Sequence, residues 1–344
     1  MNRFREARNR GAAYLLSTQL PDGSVPDAHL GAGQYWGTPI ALQVAGHSSA
    51  AGRLLDWIRS NAFTAEGDFG PSPERDQDHY YAYFNSWLIE AAHRMGQFDL
   101  SQRGTDFMLG FWDPQGGGFY SSPTERSADT KQDLWVVAGC GRAAVYTGRL
   151  DVARAVGRWM RTLMEAQPNY PAQMFPVFSR ARGLYTSVEQ DDEFRYVLNQ
   201  DANRDESFYH PGIAGGFLAR LYQATGEAEW LELAIEYMRF AEGASDYLFR
   251  ILRAGKVGWA ASVLYTITRE SKYREMAIRV GDNLIALQSP EGNWSDALQI
   301  TDTPSSTLTA EMVIWLDEIH QAVGQETVTS RSEHPATAMT STAD

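Results

Sequence analysis

His79 and Tyr83 stand four residues apart in the densest cluster of chemistry-bearing side chains in the chain, Asp76, Asp78, His79, Tyr80, Tyr81 and Tyr83. On a helix that spacing sets an imidazole and a phenol side by side over one face. Histidine is the side chain best suited to move protons near neutral pH. Read without a ligand, Asp78 is an N-cap and the tyrosines are packing residues with satisfied hydroxyls. Asp76, Asp78 and His79 match no standard ligand spacing, so no metal site is expected.

A second group, Asp129, Lys131, Gln132, Asp133 and Trp135, opens another helical pattern. Asp129 and Asp133 favour a helix N-terminus there, and the alternative has Asp133 and Trp135 holding a substrate by hydrogen bond and stacking. A third group, Asp191, Asp192, Glu193, Asp201, Asp205, Glu206 and His210, crowds carboxylates beside an imidazole. Such crowding separates the pKa values that an acid and a base need, although solvated loop acids look the same. The candidate catalytic set is therefore His79, Tyr83, Asp133, Asp192 and His210, with His79, Tyr83 and Asp192 expected to meet across one cavity. Trp36, Tyr80, Trp135, Tyr209 and Trp259 are the candidate binding faces, suited to a sugar, a polyene or a developing cation, or simply to core packing.

The elements that must position these residues follow from a repeat. A Gly-containing turn recurs at Gly46, Gly96, Gly148, Gly226, around Glu270 and at Gly324. A second Gly signal, followed by an aromatic or small residue, recurs at Gly23, Gly67, Gly118, Gly183, Gly243 and Gly292. Periods of roughly 50 residues point to repeated hairpins. Between the signals lie amphipathic segments such as Leu54, Leu55 and Ile58, or Leu231, Ala234, Ile235 and Met238, with the spacing of one helix face. Outer helices are expected near 2–19, 48–62, 98–110, 150–166, 227–242 and 271–288. Inner helices are expected near 35–45, 80–95, 132–147, 208–225, 256–268 and 307–323. The fold class is all-α, a six-hairpin (α/α)6 barrel spanning 1–324. Its outer-to-inner loops are long, so ligand contacts belong at the end where the inner helices begin.

Composition narrows the partners. Lys plus Arg number 30 against 43 Asp plus Glu, and the net charge of -13 disfavours nucleic acid and anionic lipid. The single cysteine, Cys140, rules out an internal disulfide and a multi-thiolate zinc site. No stretch reads as a signal peptide or a membrane span, so a cytoplasmic location is expected. Residues 325–344, rich in Ser and Thr, read as a disordered tail. No Gly-rich phosphate loop or nucleotide fingerprint occurs, so no cofactor is expected.

Two resemblances bear on architecture and chemistry. Arg10, Gly11, Tyr14, Leu15, Gln19, Asp22, Gly23 and Ser24, and again Gln288, Gly292 and Trp294, resemble the Gln-Trp repeat of the squalene and terpene cyclase superfamily. In that repeat the Gln and Trp tie neighbouring hairpins together. Asp113, Pro114, Gly117, Gly118, Phe119 and Tyr120, followed by Asp129, Lys131, Leu134, Trp135 and Val136, are similar to the N-acylglucosamine 2-epimerase and cellobiose epimerase superfamily. Both resemblances imply an α/α barrel. The reading adopted is a cofactor-independent isomerase or cyclase acting by proton transfer on a small neutral molecule, a terpenoid or related natural product. The alternatives are a sugar epimerase, a six-hairpin glycoside hydrolase or lyase, and a non-catalytic small-molecule or carbohydrate binder.

Overall fold

Two kinds of helix alternate along the chain. One kind is apolar on a single stripe, as in Ser271–Ala286, where Tyr273, Met276, Ala277, Val280, Gly281 and Leu284 are buried and the intervening residues face water. The other is apolar nearly all round, as in Gly255–Thr268, buried continuously from Gly255 to Tyr265. A helix of the second kind has to be enclosed by other helices, and that requirement generates a double ring.

The computed structural model describes residues 2–71, 79–187, 196–204, 206–295 and 305–324. Among them are α1 (Asn2–Thr18), α2 (Thr38–Val44), α3 (Ser48–Asn61), α4 (Tyr81–Arg94), α5 (Phe98–Leu109) and α6 (Leu134–Tyr146). The second half continues with α7 (Leu150–Glu165), α8 (Tyr209–Thr225), α9 (Ala228–Glu242), α10 (Gly255–Thr268), α11 (Ser271–Ala286) and α12 (Ser306–Gly324). The even-numbered helices pack each against the next, and α12 packs back on α2, closing an inner ring. The odd-numbered helices sit outside, with α3, α5, α7, α9 and α11 each against the inner helix before it and α1 against α12. The expected (α/α)6 barrel is therefore the observed architecture. The residues expected to form a tail, 325–344, lie outside those described.

Short turns join each inner helix to the following outer one. At Gly226 the chain enters the left-handed region (φ 72°) and the amide donates back to the Tyr222 carbonyl, capping α8. At the fifth such turn Arg269 adopts the same conformation (φ 61°), and this is why a Gly signal is missing there. The outer-to-inner loops carry the seams between repeats. Gln19 donates to the carbonyls of Gly23 and of Ala50 in the next outer helix. Gln288 repeats this with Gly292 and with Ala7 of α1. Gly292 has φ 95° and lies so close to α1 that a Cβ there would sit 2.5 Å from the Arg10 carbonyl. The two Gln-Trp-like copies thus act as fasteners, and the second one closes the ring.

The first and third inner helices start later than expected, the first at Thr38 and not near 35. The third starts at Leu134 and not near 132, because Gln132 and Asp133 form a short strand, β1, opposite Phe178 and Val177 of β3 (Val177–Ser179). The long loop before α8 is folded down by such pairings. β3 pairs with β4 (Gly183–Leu184), and β2 (Gln173–Met174) pairs with β5 (Leu198–Asn199), all antiparallel.

Candidate active site

At the end where the inner helices begin, the ring surrounds a cavity of about 150 Å³. Trp135 from α6, Tyr209 from α8, Lys256 from α10, and Glu311 and Trp315 from α12 line it, together with Leu252, Arg253, Leu308 and Met312. Trp135 is the hub of its aromatic wall. Its ring centre lies 4.6 Å from Tyr80, 4.6 Å from Tyr83 and 4.8 Å from Tyr209. Trp315 stacks on Trp259 at 5.3 Å, and Trp36 meets Trp87 at 4.9 Å. All five aromatic residues singled out from sequence belong to this cluster. Trp135 and Tyr209 face the cavity, and Trp36 and Trp259 are buried behind it.

Lys256 and Glu311 form a buried ion pair in the cavity wall, the Lys256 ammonium donating to the Glu311 carboxylate. Loss of hydration lowers the basicity of the Lys256 amine. Glu311 opposes that effect, Arg253 and Arg142 reinforce it, and the net shift is downward. The Lys256 nitrogen lies 5.4 to 5.5 Å from the ring centres of Tyr209 and Trp135, distances at which aromatic faces attract a cation. About 10 Å deeper along α6, Arg142 spreads over Trp87 at 3.5 Å and pairs with Glu90 at 2.9 Å. This second buried ion pair lies below the cavity. Tyr83 is fully buried near both pairs, and desolvation, with Glu311, drives its hydroxyl well above the usual phenol range.

Of the five candidate catalytic residues, two are brought together: His210 Nε2 lies 3.5 Å from Asp133 Oδ2, and both side chains are almost wholly buried. The His210 Nδ1 lies 2.9 Å from the Ser207 carbonyl, which can only accept, so that nitrogen carries the hydrogen and Nε2 faces the carboxylate. Ser207 holds its carbonyl there from a left-handed conformation (φ 63°), a costly arrangement for a non-glycine residue and one that concentrates at functional sites. Asp133 also caps α6, its Oδ1 accepting from the Trp135 amide at 2.8 Å. One carboxylate thus caps α6 and also faces the imidazole, whose Nε2 makes no hydrogen bond among the described residues. His79 is half-buried in the turn before α4, outside the cavity lining. Asp192 lies outside the described residues, as do Asp76, Asp78, Asp191, Glu193 and Asp205. Asp201 is exposed, and Glu206 is tied to the Asn199 amide and to Arg204.

Sequence reasoning missed Lys256, Glu311, Arg253 and Trp315. The signal was present: Glu311 interrupts the apolar run Ala310, Met312, Val313 and Ile314, and Lys256 opens a helix that is otherwise apolar. A lone charge on a helix that must be enclosed is seldom left unpaired. Among the described residues no three His, Cys, Asp or Glu side chains converge as a metal site, and no helix is long and apolar enough to cross a membrane. Burial pushes the Cys140 thiol far up.

No family model matches the chain, and no curated protein matches its sequence. Its fold is similar to several solved structures. Against a D-mannose isomerase the TM-score is 0.69 at 13% identity, covering 93% of this chain and 98% of that one. An α-1,6-mannanase from Salegentibacter gives 0.65 at 11% identity, covering 93% and 99%. A cellobiose 2-epimerase from Bacillus thermoamylovorans gives 0.64 at 12% identity, covering 93% and 100%. These near full-length superpositions at such low identity establish the six-hairpin α/α toroid as the fold of this chain.

Proposed function

We propose that this chain is a sugar isomerase or epimerase that works by proton transfer on a single small sugar. The observation that carries the reading is the cavity in which aromatic faces surround the Lys256–Glu311 pair. Its volume of about 150 Å³ is below the roughly 300–1,000 Å³ of pockets for larger ligands, which suits one sugar unit better than a chain. Isomerisation of an open-chain sugar needs a base for the proton beside the carbonyl and positive charge at the carbonyl oxygen. Glu311 supplies the first and Lys256 the second. Return of the proton to the former carbonyl carbon gives the isomer, and return to the opposite face of the neighbouring carbon gives the epimer. His210, backed by Asp133, is a second proton-transfer group behind the Tyr209 wall.

The terpenoid reading of the aromatic, carboxylate-bearing barrel mouth gains no support from the fold neighbours, which favour the sugar alternative. A glycoside hydrolase would need two carboxylates flanking one bond. Among the described residues Glu311 is the one carboxylate lining the cavity, so isomerisation is preferred. The test is incubation with a panel of aldoses, ketoses and disaccharides in deuterium oxide. Deuterium should enter the carbon next to the carbonyl as isomer or epimer forms. Cleavage of a glycosidic bond, or no exchange with any sugar, would overturn the reading.

A further inference from the structure

We propose that Lys256 is a covalent catalytic residue whose amine condenses with the aldehyde carbon of an open-chain hydroxyaldehyde in the cavity to form an iminium. This rests on the epimerase form of the proposed reading of the same site and changes how that site activates the carbonyl. The chain carries 30 Lys and Arg residues, of which Lys131, Lys256 and Lys272 are the lysines. Arginine supplies nearly all of the chain's positive charge. At the cavity wall stands a lysine, the one of the two side chains that becomes a nucleophile by giving up a proton.

Its surroundings are those that activate such an amine. Lys256 is almost wholly buried beside the faces of Trp135, Tyr209 and Trp315. It also feels the positive charges of Arg253 and Arg142. Desolvation and neighbouring cations both favour the neutral amine. Glu311, already bonded to the ammonium, is the group placed to take its proton.

The steps balance without another reactant. Lys256 passes a proton to Glu311, and its lone pair bonds to the aldehyde carbon while the carbonyl electrons move to oxygen. A proton then shifts from nitrogen to that oxygen, giving a carbinolamine. Protonated Glu311 returns its proton to the hydroxyl, water leaves, and a cationic iminium faces the regenerated carboxylate. Glu311 is then positioned to take the proton on the adjacent carbon, which the iminium acidifies more strongly than the aldehyde does. Return of a proton to the opposite face of that carbon regenerates the iminium, and addition of the water released earlier frees the epimeric aldehyde and the Lys256 amine.

The test uses the full chain with glycolaldehyde, which needs no ring opening, and sodium cyanoborohydride, which delivers hydride to the iminium carbon and leaves a stable hydroxyethyl amine. Peptide mapping should find Lys256 labelled at least about tenfold faster than Lys131 or Lys272, a small part of what positioning can supply. Glu311→Gln should slow that labelling, and Lys256→Arg should abolish the preferred label. Equal labelling of the three lysines, or labelling confined to Lys131, Lys272 and the terminal amine, overturns the proposal from the unaltered protein alone, whether or not a variant folds. Sugar turnover without Lys256 trapping leaves the isomerase and removes the iminium. Trapping at Lys256 without sugar turnover does the reverse.

Discussion

Replacing Glu311 by Leu would strand the Lys256 ammonium inside the barrel, and the cost can be worked from its surroundings. Both partners are less than a tenth exposed, so neither charge regains water when its partner is removed. Breaking a buried pair from one side typically costs about 3–5 kcal/mol, a large part of the roughly 5–15 kcal/mol that holds a domain folded. The lysine has one escape, which is to lose its proton. Its basicity is already lowered by burial, Arg253 and Arg142, with Glu311 opposing. Without Glu311 it falls further. Between that depressed value and the ordinary lysine value, the unfolded chain binds the proton and the folded chain does not, so stability rises with pH. The Glu311→Leu penalty should therefore be largest at neutral pH and shrink as the solution becomes alkaline. Adding Lys256→Met should return most of the loss, because an apolar pair of similar volume carries no desolvation cost. Urea unfolding followed by tryptophan fluorescence, at neutral and alkaline pH, measures all three quantities. A single-variant penalty under about 1 kcal/mol, a penalty indifferent to pH, or losses that simply add in the double variant would refute the account of this pair.

Other expectations follow from the same structure. His79→Ala should leave sugar turnover nearly unchanged, because His79 lies outside the cavity lining, and a loss of roughly a hundredfold, the size expected of a positioned acid–base group, would add it to Lys256, Glu311 and His210 in the chemical set. Gly292→Ala should cost about 1–3 kcal/mol through its left-handed backbone and the contact with the Arg10 carbonyl; unchanged thermal unfolding would show that the last seam yields easily. Burial works to raise the Asp113 carboxyl, but Arg180 and the amides of Gly116 and Gln115 outweigh it and hold it below the usual range. Its contribution is present above the ordinary carboxylate value and is lost as pH falls through the depressed one. Asp113→Asn should accordingly weaken the acid dependence of unfolding, and an unaltered acid limb would remove Asp113 from that role.

The helices were legible because each outer one carries a stripe and each inner one is apolar nearly throughout, a difference of period that survives in the sequence. The fifth short turn was hidden because Arg269, not glycine, takes the left-handed conformation. The small strands were hidden for another reason: two or three residues are too few to show alternation, and β1 finds its partner more than forty positions away. Trp135 and Tyr209 could be chosen because they open inner helices, and all such openings share one end of the ring. Lys256 and Glu311 could not be paired by any local rule, since the ring and not the chain makes them neighbours.

The seam between α12 and α1 has a consequence for chain order. Five inner helices pass to their outer partners through covalent short turns, and at the sixth position the same packing is made by two helices that are not joined there. The Arg8–Asp317 ion pair ties α1 to α12 at that junction, and the Gln288–Ala7 bond ties the end of α11 to α1 as Gln19 ties the end of α1 to α3. The native contacts therefore contain no privileged starting point. A permuted chain, opened at Gly148 and joined across the α12–α1 seam by a short flexible linker, should keep the same inner ring and the same cavity. Its cost is confined to the entropy of closing one loop in place of another, which varies only slowly with loop length.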